Sequence, residues 1–141
     1  IDLRVASHPF RLLSNAAAHL SLPQPLVTPA SMLPESVRQS LRGKELLDFG
    51  LSVQDDTFEF AARHCVLPTP LTLAYALAMA ASGKVSRVLL AGFDGYPTGD
   101  PRLEEVDRML VGFQEAPGVP PLVAITPSCY HLASQSVYSI V

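Results

Sequence analysis

Short apolar runs of strand length alternate along the chain with apolar residues at helical spacing. The predicted strands are residues 3–6, 25–28, 45–53, 87–93 and 122–126. This alternation predicts βαβ units, in which a helix connects each strand to a parallel neighbour. Short loops and right-handed crossovers favour a doubly wound sheet. We therefore expect an α/β fold, a three-layer Rossmann-like sandwich with a mostly parallel sheet of five or six strands in the order 3-2-1-4-5.

Two of the predicted helices lie in the first half of the chain. The first begins near Pro9, and its predicted buried stripe consists of Phe10, Leu13, Ala17 and Leu20. The second follows Pro34, places Val37 and Leu41 on one face, and ends at Gly43. Proline suits a first helical turn and glycine suits the position after a helix, so both boundaries have a physical reason.

Two further helices are predicted beyond an undetermined segment, residues 54–68. The alanine-rich helix is expected to have Thr69 as its cap, Pro70 at its first position and Gly83 after its end. Asp100 is predicted to cap the last helix, which Pro101 opens. Its expected buried stripe is Leu103, Val106, Leu110 and Phe113. The tail, residues 135–141, fits a last strand or an extended arm.

Composition narrows the class of protein. A chain of 141 residues fits one domain, and 48% hydrophobic against 16% charged residues argues against disorder. The net charge of −3 and the lack of a basic run give no support for a nucleic-acid partner or an anionic membrane surface. No apolar stretch reaches the roughly 18–20 residues that a membrane helix needs. Two distant cysteines fit a reducing cytoplasm better than a disulfide framework.

The chain begins at Ile1 without an initiator methionine. We expect residues 1–141 to be a single Rossmann-like domain excised from the C-terminal part of a longer protein. The alternative is a processed precursor.

Polar residues gather where the predicted strands end, which is where sheets of this class bind ligands. The candidate ligand-binding residues are Ser7, His8, Asp94, Tyr96, Thr126, Ser128, Tyr130 and His131. The first and fourth strands are neighbours in the expected order, so His8 should lie near Asp94. His8 could instead hydrogen-bond the helix start, Asp94 could only stabilise its own glycine-flanked turn, and Ser128 could be a helix cap.

Three sharper chemistries are disfavoured. A metal site of His8, Asp94, Cys129 and His131 would rest on C-x-H spacing alone. A cysteine or serine nucleophile with a histidine base lacks the G-x-S-x-G elbow. Dinucleotide or P-loop binding lacks its glycines, because the first strand–helix turn reads ASHPF. We therefore expect no metal and no cofactor in these residues, and we assign no catalytic residue.

Four segments that together cover much of the chain are ASHPFRL, LLDFGLSV, TPLTLAYALAMAASGKVSRVLLAGFDGYPTGDPRLEE and ITPSCYHLASQSVY. They resemble the C-terminal, non-barrel domain of HMG-CoA lyase-like (DRE-TIM type) aldolase proteins of surface-polysaccharide biosynthesis. The resemblance implies an accessory ligand-binding or assembly domain of a cytoplasmic aldolase-type lyase, not catalytic alone. It implies an N-terminal TIM-barrel partner that holds the divalent metal, since no D-x-x-R-D-G segment occurs here.

A looser resemblance rests on Gly92, Phe93 and Asp94 after the alanine-rich helix. This strand end is similar to that of a bacterial sialyltransferase-like and pterin-diphosphokinase-like group, which implies a transferase-like domain that binds a nucleotide or nucleotide-sugar at Asp94. The N-G-x-S opening of that group is missing. A purely structural, homo-oligomerising module is the third interpretation.

Overall fold

Short strands and helices alternate in the computed structural model, which describes residues 2–140. The described residues form a mixed α/β fold with three small sheets and five α-helices. The chain divides into two compact units, Ile1–Met79 and Ala80–Val141. The prediction of a single domain concerns the packing of these units and stays a prediction.

The first unit contains two three-stranded sheets. Its elements are β1 (Arg4–Val5), α1 (Pro9–Ser14), α2 (Ala16–Ser21), β2 (Leu26–Thr28), α3 (Glu35–Ser40), β3 (Leu46–Asp48), β4 (Gly50–Val53), β5 (Glu59–Phe60), β6 (His64–Leu67) and the start of α4 (Thr72–Ser82). β1, β2 and β3 are parallel and adjacent in that order. In the second sheet β6 is central, parallel to β4 and antiparallel to β5.

The predicted third strand, residues 45–53, is present as two strands that meet at Phe49. The Phe49 amide donates to the Thr28 carbonyl at 3.1 Å, and the Gly50 amide donates to the Arg63 carbonyl at 2.8 Å. Successive amides of an extended chain point to opposite edges. The segment therefore pairs with β2 on one side and with β6 on the other.

Residues 54–68, for which the sequence pattern predicts neither helix nor strand, contain β5 and β6. Cys65 and Leu67 of β6 are fully buried, so this strand belongs to the core. Only four residues long, β6 gives too short an apolar run to be separated from a loop by pattern alone.

The predicted stripe of the first helix is wrong. The segment breaks at Asn15 into α1 and α2, and Phe10 is 72% exposed, with Leu13, Ala17 and Leu20 also exposed. Leu12 and Ala16 face the core instead. They pack with Leu26, Leu33, Val37 and Leu41, a cluster that includes the predicted face of α3.

The alanine-rich helix α4 begins at Thr72, so Thr69 and Pro70 lie before it rather than at its cap and first position. Ala74 and Ala78 are fully buried, as expected for small side chains that let a helix approach its neighbours closely. The Tyr75 hydroxyl donates to the Phe49 carbonyl at 2.5 Å, which ties α4 to the junction of β3 and β4.

The second unit contains one parallel sheet, in the order β7-β8-β9, and one long helix. Its elements are β7 (Val88–Leu90), α5 (Pro101–Glu115), β8 (Leu122–Ala124) and β9 (Ala133–Ser134), followed by a 3-10 turn at Val137–Ser139. The predicted cap is confirmed, since the Asp100 side chain accepts from the Arg102 amide at 2.9 Å. Val106, Leu110 and Phe113 are buried, whereas Leu103 is half-buried.

The predicted α/β class is confirmed, and the adjacency of β1, β2 and β3 and of β7 and β8 matches part of the predicted strand order. The described strands form three small sheets, however, and a single sheet of five or six strands is not shown. The predicted neighbourhood of the first and fourth strands joins residues of different units and stays a prediction. In place of the tail strand or arm there is a 3-10 turn, and Val141 lies outside the described residues. Among residues 2–140, no helix has the length and apolar character needed to span a bilayer.

Candidate functional site

The candidate site forms where the loop after β7 meets the segment after β8. Because these strands are parallel, their carboxyl ends lie at the same edge of the sheet. The Gly92 amide donates to the Thr126 hydroxyl at 2.9 Å, and the Cys129 amide donates to the Asp94 carbonyl at 2.9 Å. These two bonds hold the two segments together.

Gly95 makes this close approach geometrically feasible. Its φ is +112°, in the region that favours glycine, and a Cβ atom there would lie 1.9 Å from the Cys129 Sγ. In the segment GFDGY, Gly95 therefore leaves space for Cys129 of the segment after β8, because glycine has no side chain.

A cavity of about 290 Å³ opens beside these loops. It is lined by Gly92, Phe93, Asp94, Gly95, Tyr96 and Tyr130. The Asp94 side chain is exposed, and within residues 2–140 its carboxylate has no hydrogen-bond or ion-pair partner. The site thus presents a free carboxylate beside two tyrosine side chains.

Tyr130 is only 8% exposed. Burial, followed by the nearby Cys129 and Tyr96 and the carboxylates of Asp107 and Asp100, raises the pKa of its hydroxyl. The hydroxyl is therefore protonated at neutral pH, and this lining residue keeps a hydrogen-bond donor.

Tyr96 is held by a cation from α5. The Arg102 Cζ lies 4.3 Å from the centroid of the Tyr96 ring, within cation–π range. Arg102 also binds Asp100 at 2.6 Å, and this hydrogen bonding lowers the pKa of the Asp100 carboxyl. One face of the Tyr96 ring is therefore covered, and the Arg102 charge is already matched.

His131 and Asp107 form a second charged contact. The Asp107 carboxylate accepts from the His131 amide at 2.9 Å and lies 2.6 Å from its Nδ1. Partial burial acts to raise the pKa of Asp107, but the His131 hydrogen bonds and charge together lower it. The contact fastens the segment after β8 to α5, and His131 is not among the residues that line the cavity.

The other candidates have local roles. The Ser128 hydroxyl accepts from the Tyr130 amide at 3.3 Å, and Thr126 binds Gly92 as described. In the first unit, Ser7 is buried with its hydroxyl 3.4 Å from that of Thr72. His8 is exposed at the N-cap of α1 and makes no side-chain cap hydrogen bond. The expected proximity of His8 and Asp94 stays a prediction.

Pattern reasoning missed the Ser52–His64 pair. The Ser52 Oγ lies 2.9 Å from the His64 Nε2, across the parallel strands β4 and β6. Gly50 gives the ring its space, since a Cβ there would lie 2.8 Å from the His64 Cδ2. The register of β4 and β6 was the missing information, because Ser52 and His64 are twelve residues apart. The pair joins the two strands on the face opposite the buried Cys65.

Within residues 2–140 no group of three or more histidine, cysteine, aspartate or glutamate residues has the arrangement of a metal site. The chemistry at the β7–β8 edge is that of hydrogen bonding, with one carboxylate acceptor and a tyrosine donor. Comparison with protein-family models, with curated proteins and with solved structures gives no match. The resemblances to the aldolase-like and transferase-like groups therefore stay hypotheses.

Proposed function

We propose that the chain is a ligand-binding module that holds a small polyhydroxylated molecule, such as a sugar, in the cavity beside Asp94. The observation that carries this proposal is the unpaired, exposed carboxylate beside the Tyr130 and Tyr96 side chains. Carboxylates accept hydrogen bonds from ligand hydroxyls strongly, and tyrosines offer an apolar ring with a polar end.

The charge of the cavity favours a neutral ligand over a nucleotide-sugar. Among the described residues, those that line the cavity include one carboxylate and no lysine, arginine or histidine. A diphosphate placed there would face the Asp94 charge, and the neighbouring Arg102 is already bound to Asp100. The transferase-like alternative with a nucleotide-sugar at Asp94 would need a cation from another source.

The wider context of this proposal rests on the family resemblance. Under this resemblance, the chain would serve as an accessory binding or assembly domain of a cytoplasmic aldolase-type lyase of polysaccharide metabolism. The metal-dependent barrel would belong to the rest of that protein, and a three-layer Rossmann-like sandwich is the architecture that the resemblance implies.

A thermal-shift panel tests the proposal. The probes are glucose, galactose, UDP, CMP and UDP-glucose. A sugar at about ten times its Kd adds about 1.4 kcal/mol to the free energy of unfolding, and therefore raises Tm by several degrees. Asp94→Asn should abolish the rise, because an amide oxygen replaces the charged acceptor. Glu115→Gln, an exposed carboxylate change near the end of α5, should leave it intact.

The outcomes separate the alternatives. A rise with UDP or UDP-glucose alone that depends on Asp94 would favour the transferase-like function. A rise with free sugars that persists in Asp94→Asn would place binding elsewhere. No rise with any probe would contradict both functions.

A further inference from the structure

Three basic residues lie near the amino ends of the sheet β1-β2-β3: Arg4 of β1, His19 of α2, and Lys44 in the loop before β3. The Arg4 amide of β1 donates to the Pro25 carbonyl at 3.0 Å, and the Lys44 Nζ donates to the Leu22 carbonyl. Both residues therefore hold the short connection 22–25 that follows α2. His19 lies in the last turn of α2, directly before this connection.

Three side-chain polar atoms in and beside this group are shielded from solvent and have no hydrogen-bond partner among the described residues. Within residues 2–140, the Arg4 Nε, the His19 Nδ1 and the Gln24 Oε1 are buried and make no hydrogen bond. The Arg4 Nε is a permanent donor, and a histidine ring nitrogen becomes one by tautomerisation or protonation. A buried donor without an acceptor is costly, so such atoms commonly mark a water or an ion.

The electrostatics of the group are one-sided. Burial, and then the positive charges of Arg4 and Lys44, lower the pKa of His19. Between Leu3 and Lys44 the sequence has a single acidic residue, Glu35, and it is paired with Arg38 at 2.6 Å. Asp2 and Glu45 flank this stretch, and within residues 2–140 neither forms an ion pair with the group. Within residues 2–140 the Arg4 and Lys44 side chains therefore form no ion pair with a carboxylate.

We propose that Arg4, His19 and Lys44 form a binding site for a phosphate group, either inorganic phosphate or the phosphate of a small ester. A guanidinium N–H, an imidazole N–H and an ammonium group give the oxyanion three donors and at least two positive charges. The Gln24 amide can add a donor by rotation about its last bond, which exchanges its oxygen and nitrogen. All residues of this site belong to the first unit, whereas the cavity beside Asp94 is lined by residues of the second unit.

Titration of the full chain with inorganic phosphate, followed by NMR at the His19 ring and the Arg4 amide, tests the site. Chloride at equal ionic strength is the reference. Saturable shifts are expected, together with a rise in the pKa of His19 when the anion is bound. Arg4→Gln and Lys44→Gln should each weaken phosphate binding about tenfold or more, because each removes a charge-assisted hydrogen bond.

Two control variants show whether phosphate binding depends on Arg4 and Lys44 themselves. Arg42→Gln removes an exposed charge two residues from Lys44 and should change the affinity by less than about twofold. If Lys44→Gln unfolds, Arg4→Lys is the replacement test: it keeps the charge, loses the Nε donor and should still weaken binding. Non-saturating shifts, or equal losses in Arg42→Gln and Arg4→Gln, would overturn the proposal.

Two further experiments identify the source of the phosphate and distinguish the phosphate site from the cavity beside Asp94. Glucose 6-phosphate that binds more tightly than inorganic phosphate, with the same dependence on Arg4, would support an ester as the ligand. Equal affinities would support the free ion. Asp94→Asn should leave phosphate binding unchanged, so the sugar cavity and the phosphate site can fail separately.

Discussion

Gly95 occupies a position in the loop after β7 where a side chain meets two separate obstacles. Its φ of +112° disfavours any L-residue, and a Cβ atom would meet the Cys129 Sγ at 1.9 Å. Gly99 in the same connection has a φ of +90°, but a Cβ atom there would have no neighbour within 4 Å. Comparison of these two glycines separates backbone strain from steric overlap.

Gly95→Ala is expected to lower the free energy of unfolding by about 1–3 kcal/mol or more, from backbone strain and the overlap together. Gly99→Ala should cost less, because it carries the strain alone. Urea unfolding of both variants measures the difference. Cys129→Ala should reduce the cost of Gly95→Ala by removing the sulfur, and equal costs in both cysteine backgrounds would argue against the overlap.

The Asp107–His131 contact gives a pH dependence of known sign. The pKa of Asp107 is lower in the folded chain than the ordinary value of about 3.9. Its contribution to stability is therefore complete above that ordinary value, and it is lost as the pH falls through the lower pKa of the folded state. Partial exposure and salt screening keep the contribution modest.

Asp107→Asn should destabilise the chain at neutral pH, and the difference from the natural chain should shrink in acid as Asp107 becomes protonated. Urea unfolding at pH about 7 and at a series of acidic pH values follows the difference as the pH falls through the lowered pKa of Asp107. Glu115→Gln is the control, with little difference expected at neutral pH. A loss in Asp107→Asn that is independent of pH would mean that shape, not charge, carries the contact.

At the scale of elements, α4 depends on small side chains at its buried positions. Ala78 is fully buried, whereas Ala76 of the same helix is half-buried. A leucine has no room where an alanine already fills the space, and overpacking strains rotamers and backbone.

Ala78→Leu is therefore expected to cost about 1–3 kcal/mol of unfolding free energy. Ala76→Leu should cost less, because its side chain can reach solvent, and helix propensity is similar for both changes. Denaturant titration followed by circular dichroism compares them. Equal costs would mean that the buried face of α4 is not the one described.

Elements with strong local signals could be predicted from the sequence. β2, β8 and α5 lie where proline, glycine and a capping aspartate bound an apolar pattern. The face of α1 could not be predicted, because Leu12 and Leu13 are adjacent and either one completes a helical stripe. Packing against Leu26 and Val37 decides for Leu12, and that contact is distant in sequence.

Some features of the candidate site could likewise be predicted from the sequence, and others could not. Asp94 and Tyr130 could be assigned to one edge because parallel strands end together. Two contacts could not be predicted, because they depend on which turn of α5 faces each loop. They are the contacts of Arg102 with Tyr96 and of Asp107 with His131. The Ser52–His64 pair depends likewise on the register between two strands.

At the scale of the whole molecule, the two cysteines report on folding from different environments. Cys65 is fully buried in β6, and burial raises the pKa of its thiol to about 11. Cys129 is exposed, and both are free thiols. Because the thiolate is the reactive form, burial and the raised pKa both protect Cys65.

We expect the Cys129 thiol to react rapidly with an aromatic disulfide reagent in the native chain, because it is exposed. The buried Cys65 thiol should react only at the rate of unfolding. Cys129→Ser should abolish the rapid phase, and Cys65→Ser should keep it. Two rapid thiols in the native chain would contradict the burial of β6.

The continuous segment from β3 to β4 has a consequence for how the first unit opens. Its amides bond β2 before the junction at Phe49 and β6 after it, so one extended backbone is shared by two sheets. Detachment of this backbone breaks both ladders at once. Slow hydrogen–deuterium exchange in β2 and in β6 should therefore follow a single cooperative opening, although the two strands belong to different sheets.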